Sequence, residues 1–188
     1  DAKEVVAAAL KTEGSIISAL SPNLRGAQDA FAAGIHKLNY VTSVSESHNM
    51  ANVRQSVDDS VEGFKRIVEA RNTIPGAENV TLATGLSTAL GCTIEGQVSE
   101  DAVMRLAERF VEAGSTELMV ADTVGYANPQ QVKSMFKKVI DEEIKKAEAL
   151  LAKGTPRSGL YGALTGKGKT KAVPPKRNKA PSADTKTV

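Results

Sequence analysis

Short apolar runs alternate along the chain with longer segments in which apolar residues recur every three or four positions. The short runs are rich in β-branched residues and predict four strands, at residues 16–20, 37–44, 80–84 and 117–121. The longer segments predict helices at residues 1–12, 24–33, 56–71, 99–113 and 130–140. Strict alternation of strands and helices is typical of a parallel sheet whose strands are joined by crossover helices.

Polar residues mark the starts of several predicted helices. Ser56 and Ser99 stand where a helix cap is needed, because a side-chain oxygen can accept a free backbone N–H of the first turn. Asn128 is followed by Pro129, and proline suits the first position of a helix. These signals support the helix starts that the apolar pattern predicts.

Polar side chains also follow the carboxyl end of every predicted strand. In a parallel sheet these ends meet at one edge, where active sites of α/β proteins form. One such cluster would be ordinary turn chemistry, but four in register favour a shared site. Its candidate members are Ser21, Asn23, Ser43, Ser45, Glu46, Ser87, Thr88, Asp122 and Thr123.

The composition is that of an ordinary globular protein, with 41% hydrophobic and 24% charged residues among 188. The longest uncharged run, residues 79–94, is shorter than the roughly 20 apolar residues of a membrane span, so no membrane association is predicted. Cys92 is the single cysteine. An internal disulfide is therefore excluded, and a reducing compartment, the cytoplasm, is predicted.

Charge and composition change near residue 154. Residues 154–188 hold eight Lys or Arg, one acid and four of the seven prolines, without helical or strand periodicity. Such a segment cannot bury enough apolar surface to offset its ordering entropy, so a disordered basic tail is predicted. The predicted organisation is a folded α/β part at residues 1–140, a helical extension at residues 141–153 and the tail at residues 154–188.

The tail contains two patterns that could indicate ligands. Residues 163–170 miss a phosphate-binding loop by one residue, but no strand precedes them and Pro174 and Pro175 follow, so nucleotide binding is not favoured. The basic run could contact nucleic acid or anionic lipid through charge, but only Tyr161 could stack on a base. A soluble disordered extension, or a non-native reading frame, is the simplest interpretation.

Four motifs resemble those of the hydroxymethylglutaryl-CoA lyase family, in one register from about residue 1 to about residue 139. They are Leu20-Ser21-Pro22-Asn23-Leu24-Arg25-Gly26-Ala27, Ser45-Glu46-Ser47-His48-Asn49, Gly91-Cys92-Thr93-Ile94-Glu95-Gly96 and Ala121-Asp122-Thr123-Val124-Gly125. These enzymes are TIM (β/α)8 barrels of the wider DRE-type metal-dependent group. The resemblance implies that this chain is the middle portion of such a barrel, a partial α/β barrel of about four βα units with parallel strands.

The resemblance also implies a carbon–carbon lyase acting on a 3-hydroxy-acyl-CoA. The family cleaves a 3-hydroxy-3-methylglutaryl thioester to acetyl-CoA and acetoacetate with a divalent cation, for which Mg²⁺ or Mn²⁺ is expected. By this resemblance Asp122 is catalytic, and the acyl-CoA substrate is bound by Asn23, Ser45, Glu46, Thr88 and Thr123. From the residues alone, Asp122 could instead bond its own turn, and Glu46 and His48 could belong to a solvated loop.

Several parts of the family pattern are missing from this chain. The family places a metal-binding Asp and a catalytic Arg on its first strand, a His-x-His pair on its seventh, and a Gly-rich loop with a catalytic Cys in the eighth region. Here the only histidines are His36 and His48, and Cys92 matches the fifth-strand loop. We therefore predict no metal ligands in this chain and no activity for the chain alone. Its two open sheet edges predict pairing with a second copy or a complementary chain.

Three departures from the family pattern put the substrate in question. The classical lyases have an aromatic residue at Gly85, Pro-Tyr at Thr93-Ile94, and Ser at Met119. A related acyl-CoA lyase of different acyl specificity would fit as well, and a carboligating synthase is a further alternative. A non-catalytic truncated remnant and a binding module that works through the basic tail also stay open.

Overall fold

The computed structural model describes the backbone of residues 1–152, which forms six helices and four strands. The predicted tail at residues 154–188 lies outside the described residues. Within residues 1–152, no helix has the length and apolar character needed to cross a membrane. The elements are α1 (Ala2–Ala9), β1 (Ser18–Leu20), α2 (Leu24–Ala32), β2 (Lys37–Ser43), α3 (Glu46–Val53), α4 (Val57–Thr73), β3 (Thr81–Ser87), α5 (Glu100–Glu112), β4 (Glu117–Val120) and α6 (Pro129–Ala152).

The four strands form one parallel sheet in the order β1-β2-β3-β4. Strands β2 and β3 pair over their full length, from Lys37 opposite Thr81 to Ser43 opposite Ser87. All four carboxyl ends therefore meet at one edge, which we call the carboxyl edge. The predicted α/β class with four parallel strands is confirmed.

The core lies between the helices and one face of this sheet. Alternate residues of the central strands, among them Tyr40 and Leu82, are buried on that face. The Tyr40 ring lies 5.5 Å from the ring of Phe64 in α4, which lies 5.4 Å from the ring of Phe110 in α5. Centroid separations in this range suit tilted aromatic pairs, so the rings join α4 and α5 to the sheet. The other residues of the strands point to the opposite, inner face.

Helix α3 was not predicted from the sequence. It begins directly after Ser45, whose hydroxyl oxygen accepts the His48 N–H at 3.2 Å, and it ends at Arg54, which has a left-handed φ of 57°. Asn49 is the one buried residue of the helix. The segment therefore lacks the apolar stripe on which helix prediction depends.

Two strand boundaries differ from the prediction by more than one residue. Strand β1 begins at Ser18 instead of residue 16, because the Ile17 N–H donates to Nδ1 of His36 at 2.9 Å and Ile16 is 77% exposed. Strand β3 continues to Ser87, three residues past the predicted end, since pairing with β2 is sustained through Gly85.

The predicted helix caps are confirmed. The hydroxyl oxygens of Ser56 and Ser99 each accept a backbone N–H from the first turn of the following helix. The Asn128 side chain accepts the Gln131 N–H, and the Gln131 side chain accepts the Asn128 N–H, both at 3.0 Å. Helix α6 then runs without a break from Pro129 to Ala152, across the predicted domain boundary at residue 140.

Candidate active site

The predicted site residues lie at the carboxyl edge, each just beyond the end of a strand. Ser45 and Thr88 are buried, and the others are exposed. Asn23 follows β1, Ser45 and Glu46 follow β2, Thr88 follows β3, and Asp122 and Thr123 follow β4.

Hydrogen bonds tie three of these loops together. The Ser45 N–H donates to Oγ1 of Thr88 at 3.2 Å, and the Thr88 N–H donates to Oγ1 of Thr123 at 2.7 Å. Thr88 has a φ of +56°, which is strained for a β-branched residue, and it is fully buried. The structure therefore brings Ser45, Thr88 and Thr123 together, and these contacts hold Thr88 in its strained conformation.

Cys92 belongs to the same cluster, although it was not among the predicted site residues. Its thiol lies 3.1 Å from Oγ of Ser45, and its Sγ accepts the N–H groups of Ile94 and Glu95 at 3.3 and 3.5 Å. Burial acts to raise the pKa of the thiol, but the Ser45 hydroxyl and the two N–H groups outweigh burial and lower the pKa below its usual range. The match to the fifth-strand motif was the only sequence signal for this residue.

The accessibility of Cys92 gives a first prediction. The side chain is 1% exposed, so a bulky thiol reagent can reach it only after the loop opens. We expect dithiobis(nitrobenzoate) to label the native chain about 100-fold more slowly than it labels the chain unfolded in urea. This ratio is equivalent to a free energy of about 2.7 kcal/mol for opening the Cys92 loop. Equal rates in both conditions would mean that the loop is not closed over the thiol.

Glu95 joins this loop to the start of α3. Its Oε1 accepts the Ser47 N–H at 2.6 Å. The backbone and side chain of Ser47 lower the pKa of the Glu95 carboxyl below its usual range. The carboxylate is therefore ionised at neutral pH, and the contact weakens only as the pH falls through that lowered pKa.

Asp122 bonds to its own turn with both carboxylate oxygens. Oδ1 accepts the Tyr126 N–H at 3.0 Å, and Oδ2 accepts the Ala127 N–H at 3.1 Å. The residue is exposed, and each oxygen keeps a second lone pair. The carboxylate can therefore hold the turn that presents Tyr126 and still accept a proton at the carboxyl edge. Its catalytic role stays a prediction.

Two other predicted residues direct their side chains to helix starts. Oε2 of Glu46 accepts the N–H of Val57, the first residue of α4, at 3.0 Å. Oδ1 of Asn23 accepts the Gly26 N–H at 2.9 Å and caps α2. Neither side chain makes a hydrogen bond to the Ser45, Thr88 and Thr123 cluster in the part of the chain that the structure describes. Substrate contacts of Glu46 and Asn23 stay predictions.

Helix α3 also buries the side-chain amide of Asn49, which was not among the predicted site residues. Asn49 accepts the Ser43 N–H at 3.0 Å and donates to the Gln55 carbonyl and the Ser60 hydroxyl at 2.9 Å each. The neighbouring His48 places Nδ1 2.7 Å from Oγ of Ser43. His48 is thus half-buried in a helix, whereas a solvated loop was the simple expectation.

An open cleft of about 790 Å³ lies between the loop after β3 and the turn after β4. Hydroxyl, amide and aromatic groups line it together with glycine backbone, and none of its lining residues is charged. These residues are Leu90, Gly91, Gly96, Gln97, Val98, Ser99, Tyr126, Asn128 and Gln131.

The described side chains do not form a donor set that fits a divalent cation. Among the side chains that the structure describes, no group of three or more His, Cys, Asp or Glu residues lies together so that it could hold a metal ion. We therefore assign no metal-dependent step to the described residues.

Four adjacent parallel strands, with connected loops at their carboxyl ends, define part of a (β/α)8 barrel with a candidate active site at its usual edge. A family model described as HMGL-like matches residues 1–151. The chain belongs to this family of acyl-CoA lyases.

Known relatives agree with this assignment. The chain is similar to the hydroxymethylglutaryl-CoA lyase YngG of Bacillus subtilis, with 34% identity over 74% of this chain and 46% of the relative. It is equally similar to the (R)-citramalyl-CoA lyase of Chloroflexus aurantiacus, with 34% identity over 66% of this chain and 38% of the relative. The chain thus spans less than half the length of these relatives.

A solved structure agrees as well. The HMG-CoA lyase of Acinetobacter baumannii, in complex with coenzyme A and 3-methylmalate, superposes with a TM-score of 0.69 at 35% identity. The match covers 75% of this chain and 45% of that one. The predicted fold, a partial TIM barrel of the lyase type, is confirmed.

Proposed function

We propose that this chain forms part of an acyl-CoA lyase that breaks a carbon–carbon bond in a 3-hydroxyacyl-CoA thioester. The observation that supports the proposal most is the connected cluster of Ser45, Thr88 and Thr123 at the carboxyl edge, beside the Asp122 carboxylate. Relatives that act on hydroxymethylglutaryl-CoA and citramalyl-CoA share this family. Their substrates have in common a CoA thioester and a hydroxyl group.

The proposed reaction needs a proton acceptor and a fixed substrate. The 3-hydroxyl group gives up its proton, the C2–C3 bond breaks, and its electron pair becomes a thioester enolate that takes up a proton as acetyl-CoA. Asp122 is an exposed carboxylate at the carboxyl edge and is proposed to accept the hydroxyl proton. Thr123 and Ser45 are proposed to orient the substrate. The family resemblance implies a divalent cation, Mg²⁺ or Mn²⁺, and no step here is assigned to it.

We propose that the uncharged cleft binds the pantetheine arm of CoA. Pantetheine is neutral and has two amide groups, which suit lining residues such as Gln97, Asn128 and Gln131. Tyr126 is 57% exposed and offers an apolar ring at the same place. Because the Asp122 carboxylate holds the turn that contains Tyr126, the cleft and the proposed proton acceptor are coupled.

Two glycines of the cleft give a matched test. A Cβ at Gly91 would lie 3.0 Å from Cβ of Tyr126, and its φ of +147° is closed to other residues. We expect Gly91→Ala to displace Tyr126, to lower the free energy of unfolding by about 1–3 kcal/mol and to raise KM for the thioester.

Gly96→Ala is the control, because Gly96 has a φ of +77° but nothing within 4 Å of an added Cβ. It adds backbone strain of about 1–2 kcal/mol without a collision. KM would be measured with acyl-CoA and unfolding with urea. If both variants changed KM equally, the contact of Gly91 with Tyr126 would not shape the cleft.

The direct test is the release of acetyl-CoA by the gene product as isolated from its source cells. The protein would be incubated with 3-hydroxy-3-methylglutaryl-CoA, with citramalyl-CoA and with longer 3-hydroxyacyl-CoA thioesters, each with Mg²⁺ or Mn²⁺. The proposal expects a keto product in amounts equal to the acyl-CoA consumed. Condensation instead of cleavage would identify a carboligating synthase.

A non-catalytic remnant is a second candidate, because the described side chains include no group that could hold a metal ion. A remnant would release no product with any thioester, even when the protein is folded and CoA is bound. Product release from the same preparation would exclude it.

Two further proposals concern the partner chain and the cellular compartment of the protein. A second copy or a complementary chain is proposed to cover the sheet edges at β1 and β4, because Leu20 of β1 is 67% exposed. The cytoplasm is proposed as the compartment, since the single cysteine needs no oxidising environment.

A further inference from the structure

A second open cleft, of about 310 Å³, lies between the start of α2 and the middle of α4. Two arginines line it, Arg25 of α2 and Arg66 of α4, and we call it the arginine cleft. The other residues of its lining are neutral, namely Pro22, Asn23, Leu24, Tyr40, Gln55 and Gly63. The lining therefore carries two positive charges and no carboxylate.

The arginine cleft is separate from the proposed substrate site. Tyr40 belongs to the core between the sheet and the helices, so this cleft lies in the helix layer and not over the inner face of the sheet. The uncharged cleft lies beside the loops that follow β3 and β4, whereas the arginine cleft lies beside β1 and β2. The two clefts have no lining residue in common.

Both guanidinium groups of the cleft lack an acidic partner. Neither Arg25 nor Arg66 forms an ion pair in the part of the chain that the structure describes. Glu62 lies one turn before Arg66 on the same helix, but its carboxylate pairs with Lys65 at 2.6 Å. Two like charges at one cleft repel each other, and a bound anion would turn this repulsion into attraction.

Gly63 brings the Arg66 side chain against the wall of the cleft. A Cβ at Gly63 would lie 3.8 Å from Nη2 of Arg66 and 3.2 Å from Oη of Tyr40. The Tyr40 hydroxyl donates to the Ser60 carbonyl at 3.0 Å, which fixes the ring on this side of the cleft. The guanidinium therefore lies close to the helix backbone at the border of the open volume.

The α2 side of the cleft also favours negative charge. Oδ1 of Asn23 accepts the Gly26 N–H at 2.9 Å, so the amide caps the helix and its NH₂ group is the end left to donate. The first residues of α2 line the cleft, and the positive end of the helix dipole therefore adds to the charge of Arg25. Both walls of the cleft thus offer donors to an anion.

We propose that the arginine cleft binds a phosphate monoester, with Arg25 and Arg66 donating to its oxygens. The planar guanidinium fork matches phosphate oxygens in pairs. A phosphate monoester carries a charge of about −1.5 to −2 at neutral pH, which two arginines balance and a single carboxylate does not. The volume of the cleft is at the lower end of the range for small-molecule sites, so it has room for a small group that carries the phosphate.

Two sources could supply this phosphate group. One is a separate phosphorylated metabolite, and the other is the 3′-phosphate on the ribose of CoA. If the pantetheine arm lies in the uncharged cleft, the rest of the CoA molecule extends away from the arginine cleft. The separate metabolite is therefore the source that the two clefts together favour.

Calorimetric titration of the gene product as isolated tests the site, with adenosine 5′-monophosphate and inorganic phosphate as probes. We expect both probes to bind and adenosine, which has no phosphate, not to bind. Arg25→Gln and Arg66→Gln should each lower the affinity by about 10- to 100-fold, the usual range for a hydrogen bond to a charged group. Both residues are exposed, so the variants should stay folded, which circular dichroism would check.

Arg105→Gln is the matched control, because Arg105 is exposed on α5 and its replacement removes the same charge away from the cleft. It should keep the wild-type affinity for both probes. Failure of the folded protein to bind either probe would overturn the inference. Equal losses of affinity in all three variants would overturn it as well, because they would show general charge attraction.

Competition with CoA and with dephospho-CoA distinguishes the two sources. Binding of adenosine 5′-monophosphate that persists in saturating CoA would assign the cleft to a separate metabolite. Displacement by CoA but not by dephospho-CoA would assign it to the 3′-phosphate of CoA and contradict the placement of pantetheine in the uncharged cleft. Displacement by both would overturn the inference, because a phosphate monoester would not be what the site recognises.

The phosphate site does not depend on the proposed lyase function. Binding of the probes is measured without turnover, whereas the lyase function is tested by release of acetyl-CoA. A protein that binds the probes through Arg25 and Arg66 but cleaves no thioester would uphold the site and overturn the lyase function. Cleavage without binding of either probe would do the reverse.

Discussion

Replacement of Asp122 by Asn is expected to lower kcat for acyl-CoA cleavage by about 10²–10⁴-fold, the usual contribution of a positioned general acid or base. The amide keeps the size of the carboxylate and one oxygen that can accept the Tyr126 N–H, but it cannot take up a proton. The turn should therefore persist, and KM should change less than kcat. Steady-state kinetics of the gene product measure both constants.

Asp29→Asn is the control for this substitution. Asp29 is exposed in the second half of α2, and its replacement removes the same charge as the replacement of Asp122. It should leave kcat unchanged. Circular dichroism and urea unfolding should show that the Asp122 variant stays folded. A normal kcat in the Asp122→Asn variant would mean that this carboxylate only anchors the turn through its two backbone hydrogen bonds.

Replacement of Asn49 by Ala is expected to lower the free energy of unfolding by about 3 kcal/mol. Asn49 is fully buried, and the substitution leaves the Ser43 N–H and the Gln55 carbonyl without partners. Each buried group that loses its hydrogen bond costs about 1–3 kcal/mol. Urea unfolding of the full chain measures the change.

Asn52→Ala is the matched control, since Asn52 is exposed on the same helix. Alanine is the better helix former, so this variant should be as stable as the wild type or slightly more stable. A similar loss for both variants would show that the buried amide network does not hold α3 against β2 and α4.

The α/β fold could be predicted because its signals are local. Ser56, Ser99 and Asn128 cap the helices that they were expected to cap, and the apolar runs become the four strands. Helix α3 could not be predicted, because its stability comes from Asn49, which bonds to groups in β2 and α4. A polar residue buried by tertiary contacts leaves no apolar periodicity in the sequence.

The candidate site could be placed at the carboxyl edge from the sequence, but its hydrogen bonds could not. The contact of Ser45 with Thr88 joins residues 43 positions apart, and the closure of the Cys92 loop depends on Ser45 as well. Such contacts follow from the register of the strands, which the sequence pattern does not specify. The resemblance named Asp122, whereas its bonds to Tyr126 and Ala127 emerge only from the folded turn.

We propose that the carboxyl edge of this sheet binds the acyl-CoA thioester. Hydrogen exchange of the gene product, with and without a non-cleavable thioether analogue of 3-hydroxy-3-methylglutaryl-CoA, tests it most directly. We expect slower exchange on binding at residues 43–49, 87–97 and 121–128, and no change in the amino-edge loops at residues 33–36, 77–80 and 113–116. Protection of the amino-edge loops, or saturating binding without protection of the carboxyl edge, would contradict it.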